Sequence, residues 1–64
     1  MVVVNGQEKD IAGMNLLEYL QTEGYQAERI AIEYNGEILP KRAYKETTFV
    51  QGDKVEIVHF VGGG

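Results

Sequence analysis

Sixty-four residues make one domain and leave no room for a second, and a chain this short buries only about 60% of its unfolded surface. There is no Cys, which excludes disulfides and thiolate zinc sites, so any sulfur the protein handled would come from elsewhere. Ten acidic against six basic residues leave a net charge of −4, which argues against a nucleic-acid binder; no apolar run nears the ~20 residues of a membrane span and no signal peptide is recognisable, so a cytoplasmic protein is expected.

Residues 1–4 are β-branched after Met1 and end at Asn5-Gly6, a dipeptide suited to a tight hairpin because both positions accept positive φ. Residues 7–11 return as a charged partner strand, as expected at a sheet edge. Ala12-Gly13 breaks the strand. Asn15 is a good helix N-cap with Glu18 three residues on as its capping-box partner, and Met14 is placed to staple against Tyr19. Leu16, Leu17 and Leu20 form the expected buried stripe of a helix over 16–23, which Gly24 ends.

Residues 29–34 alternate, with Ile30, Ile32 and Tyr34 on one face. Asn35-Gly36 repeats the hairpin signal and leads to a short strand over 37–39, closed by Pro40, which cannot donate to a ladder. Residues 41–46 read as a turn or one helical turn, and they carry a basic cluster, Lys41, Arg42 and Lys45, whose ordinary reading is a solvated loop. Residues 47–50 are β-prone but brief. After the turn at Gln51-Gly52-Asp53, residues 54–61 are the longest strand candidate. Two hairpins, a helix and a late strand make an α+β pattern. Set parallel to the first strand in the middle of a small mixed sheet crossed by the helix, the last strand closes a β-grasp fold over residues 1–61.

The chemistry-bearing residues are few. The chain has neither Ser nor Cys, and its one histidine, His59, lies mid-strand with no ligand spacing around it and is expected half-buried. No phosphate-cradling glycine loop is present. The last strand differs. With Val55 and Ile57 inward, Val58 and Phe60 fall on the opposite face and form an expected docking patch, unless both pack beneath residues 41–48. Gly62-Gly63-Gly64 then reads either as a frayed remnant or as a flexible, side-chain-free tail able to enter a narrow channel. Its tip would be the α-carboxylate of Gly64, ionised at neutral pH.

Val4-Asn5-Gly6, the run Tyr34-Asn35-Gly36-Glu37-Ile38-Leu39-Pro40-Lys41, the run Gly52-Asp53-Lys54-Val55-Glu56-Ile57-Val58 and the closing Val61-Gly62-Gly63-Gly64 together resemble the thiamine-biosynthesis sulfur carrier (ThiS) family, over essentially the whole chain. The resemblance implies a ubiquitin-like β-grasp protein, monomeric when free, that is a co-substrate and not an enzyme. It implies that a partner adenylating enzyme, using ATP and magnesium, activates the Gly64 carboxylate. Sulfur originating from a cysteine desulfurase would then leave a thiocarboxylate for thiazole synthase, and this chain would bind no cofactor itself. Gly62 and Gly63 would give the tip access, and Val58 and Phe60 would meet the partner. A molybdopterin-synthase small subunit, a ubiquitin-like modifier of lysines and an inert interaction domain are the alternatives.

Overall fold

A computed structural model describes residues 1–60 of the chain; Val61 and the expected tail, Gly62 to Gly64, lie outside the described residues. Strand β1 (Val2–Val4) turns through Asn5-Gly6 into β2 (Gln7–Lys9), with Val4 opposite Gln7. Both turn residues take positive φ, 50° and 81°, as a tight hairpin requires. β2 is shorter than the expected 7–11, and it lies at the sheet edge as its charges suggested.

Helix α1 (Leu16–Thr22) begins where the cap predicts: Asn15 Oδ1 accepts from the Glu18 N–H at 3.1 Å. The same side chain also donates to the Lys45 carbonyl at 2.9 Å, so the cap fastens the helix start to a distant segment. Gly24, at φ 82°, ends the helix in the left-handed conformation. The buried stripe is Leu16, Tyr19 and Leu20, with Leu17 only half-buried. Tyr19 takes the inner position because Phe49 offers its ring an edge-on partner at 5.5 Å.

A 3-10 turn (Ala27–Arg29) precedes β3 (Ile30–Tyr34), and the second Asn-Gly turn leads into β4 (Glu37–Leu39). A 3-10 helix (Lys41–Glu46) follows Pro40, and β5 (Lys54–His59) comes last. Residues 47–50 form no strand. They make a single bridge, Asn15 with Thr48, and place Phe49 in the centre of the core. The sheet runs β2-β1-β5-β3-β4, with β5 parallel to β1 and antiparallel to β3, so among the described residues the late strand occupies the middle of a five-stranded mixed sheet. One helix covers one face of it. This is the expected ubiquitin-like β-grasp arrangement.

Two asparagines complete the central ladder. Beyond the end of β1, Ile57 N–H donates to Asn5 Oδ1 at 2.7 Å and Asn5 Nδ2 donates to the Ile57 carbonyl at 3.3 Å. On the other flank, Asn35 N–H donates to the Lys54 carbonyl, and Lys54 N–H donates to Asn35 Oδ1, both at 2.8 Å. Each side chain thus stands in for a strand residue that the hairpin turn has removed.

Asp53 holds the start of β5. It is 5% exposed, and its carboxylate accepts from Tyr34 Oη, from Val50 N–H at 2.8 Å and from Asn35 Nδ2 at 3.1 Å. Burial alone would push its carboxyl up; the bonds from Tyr34, Val50 and Asn35 outweigh that and hold it below the ordinary 3.8. For the Tyr34 hydroxyl, burial and its bond to the carboxylate both act upward.

Because the folded carboxyl lies below its unfolded value, its contribution is complete above pH 3.8 and is lost as pH falls through the lowered folded value. We predict that Asp53→Asn costs about 1–3 kcal/mol at neutral pH and flattens the loss of stability in acid. Urea melts at pH 7 and pH 3 check this, and equal acid slopes in both proteins would contradict it. Asn5→Gly keeps the turn and removes only the two bonds to Ile57. About 2 kcal/mol of stability should go with them, measured in the same way.

Candidate functional site

Directly opposed residues share a sheet face, so the register defines the surface turned away from the helix. Glu56 faces Glu33 and Val58 faces Ala31 across β5 and β3, while Ile38 on β4 faces Glu33 from the other side. Val55 and Ile57 point inward to the core with Ile30 and Ile32. Val58 and Phe60 therefore lie on the outer face as the alternation predicts, 57% and 54% exposed. The alternative, burial beneath residues 41–48, does not occur.

Ile38 joins them at 70% exposure, a residue that sequence reasoning passed over. The signal was present in the hairpin. With Leu39 half-buried on the inner side, its neighbour on a three-residue edge strand has to face outward. Val58 and the small Ala31 lie in one cross-strand row of this face, and Ile38 lies in the next, in line with Glu33 and Glu56.

Phe60 stands where the described chain leaves the sheet. Its N–H donates to the Arg29 carbonyl at 2.9 Å, which carries the β3–β5 pairing one step past His59. Lys41 approaches from the far side of β3: its Nζ lies 5.7 Å from the centre of the Phe60 ring and donates to the Ile30 carbonyl at 2.9 Å. The three basic residues at 41, 42 and 45 are exposed, as expected of a solvated cluster, but Lys41 is engaged.

His59 departs from expectation. It is exposed instead of half-buried, and its ring stacks on Tyr25 at 5.3 Å with the planes 29° apart. This contact gives an exposed strand-end residue a partner just past the helix. Among the described residues no group of three or more His, Asp or Glu is placed to hold a metal ion. No helix among them is long and apolar enough to cross a membrane. Gly62, Gly63 and Gly64, the expected access residues and reactive tip, lie outside the described residues.

The β-grasp fold agrees with solved relatives. A thiamine biosynthesis protein (ThiS) from Geobacter metallireducens superposes with a TM-score of 0.75 at 37% identity, covering 98% of this chain and 97% of that one. The sulfur carrier protein ThiS of Bacillus subtilis is 48% identical over 42 residues, covering 62% of this chain and 64% of that protein. A thiazole synthase of Paramagnetospirillum magneticum is 41% identical over 64 residues, covering 98% of this chain. The chain spans only 20% of that protein's length. The family model described as "ThiS family" matches residues 2–64, and the chain belongs to that family.

Proposed function

We propose that the protein is a sulfur carrier of thiamine biosynthesis, a co-substrate whose Gly64 carboxylate is the working group. A carboxylate is a poor acylating agent. A partner adenylating enzyme, with ATP and magnesium on its own side, would convert it to an acyl-adenylate and release pyrophosphate. The terminal sulfur of a persulfide, charged by a cysteine desulfurase, would then attack the Gly64 carbonyl and expel AMP. A further thiol would cleave the resulting acyl disulfide and leave the thiocarboxylate. That group is a nucleophilic sulfur donor for thiazole synthase, in the cytoplasm.

What supports the reading is the run of the family match through Gly64, together with an exposed Val58 and Phe60 just ahead of the glycines. A chain without side chains over 62–64 fits a narrow channel, and about 3.5 Å per residue sets its reach. The exposed side chains of Val58 and Phe60 would supply recognition. Thiazole synthase is favoured as the acceptor because a segment 41% identical to this chain lies within one such protein.

Intact-mass analysis of the protein from its native cell tests the proposal. Exchange of one oxygen for sulfur at the carboxy end is expected; lysine adducts of higher mass would instead mark a protein modifier. Deleting Gly63 and Gly64 should abolish adenylation without moving the melting temperature, and normal pyrophosphate release from the truncated protein would refute the role of Gly64. Phe60→Ala should weaken binding to the adenylating enzyme about tenfold. Its melting temperature should stay within about 3 °C of the parent's. A much larger drop would move Phe60 from the docking surface into the core.

A further inference from the structure

Adjacent carbonyls on a strand point to opposite sides. At the start of β3 the Arg29 carbonyl takes the Phe60 N–H on the β5 side, so the Ile30 carbonyl looks toward β4. There the register places Leu39 opposite Ile32, which would bring residue 41 abreast of Ile30. β4 ends at Leu39 and Lys41 opens the 3-10 helix, so the strand ladder stops short of the Ile30 carbonyl and leaves it to another donor. The Lys41 side chain is that donor, with Nζ 2.9 Å from the Ile30 carbonyl. From that anchor the ammonium also sits 5.7 Å from the centre of the Phe60 ring, within the range of cation–π attraction.

We propose that Lys41 is a positioning residue: its ammonium, tethered to the Ile30 carbonyl, holds the Phe60 ring in one orientation on the outer face where the chain departs toward the glycines. An aromatic anchor fixed beforehand has less rotamer freedom to lose when a partner covers it. The tether matters as much as the charge, because a freely rotating lysine would not stay over the ring. Ala31, which faces Val58, adds only a methyl group to the face at that level. The proposal rests on the reading of Val58 and Phe60 as the surface that meets the adenylating enzyme.

The experiment has a structural arm and a kinetic arm, both on the full chain. In the parent protein, NMR should show Lys41 ε-protons shifted by the Phe60 ring current, with cross-peaks to the ring protons. Lys41→Met should abolish both and raise KM of the cognate adenylating enzyme for the protein about two- to fivefold, with kcat held. Lys41→Arg, which keeps a cationic donor, should recover the parent KM. In a Phe60→Leu background, Lys41→Met should change KM no further. Missing ring-current shifts in the parent, or two substitutions whose effects multiply independently, would overturn the proposal. Failure of the parent protein to be adenylated at all would count against the functional reading, while the NMR result still decides the contact itself.

Discussion

The central strand has to be bonded on both flanks by segments distant from it in sequence, and the side chains of Asn5 and Asn35 complete that bonding. β1 has three residues and β3 five, each ending in a tight turn. Without the two amides, the Ile57 and Lys54 main-chain groups would lose their partners where the hairpins bend away. Asp53 works on the same strand from its start, drawing Tyr34, Asn35 and the Val50 N–H onto one buried carboxylate. Everything on the outer face inherits its position from this. Val58 and Phe60 point outward because Val55 and Ile57 are held inward.

The turns and the strand order were the parts most readable from the residues. An Asn-Gly pair between β-prone runs admits few conformations, and it occurs twice. The helix start was equally plain, since Asn15 and Glu18 stand at capping distance before a leucine-rich run. The exposure of Val58 and Phe60 followed from period-two alternation once the inner residues were identified. The α+β grasp order then needed only the rule that a late, apolar strand seeks the sheet centre.

What escaped the sequence depends on contacts between distant segments. Tyr19 displaces Leu17 from the buried stripe because Phe49 lies against it, and Phe49 comes from a stretch whose composition suggests a strand. Residues 47–50 are held by main-chain bonds to the segment before the helix, a pairing that no local pattern announces. Asp53 reads as an ordinary turn residue, although its carboxylate is nearly enclosed. Lys41 belongs to a cluster that looks solvated, and only the end of the ladder at Leu39 leaves its ammonium the Ile30 carbonyl to hold. The identity of the working end rests on the family likeness and on simple carboxylate chemistry.

The parallel pairing of β1 with β5 also governs how the chain is made. A nascent polypeptide halted before Lys54 has two hairpins and a helix but no strand to join them, since both inner neighbours of β5 would face an empty slot. The outer face that carries Val58 therefore takes shape only once β5 has joined β1 to β3.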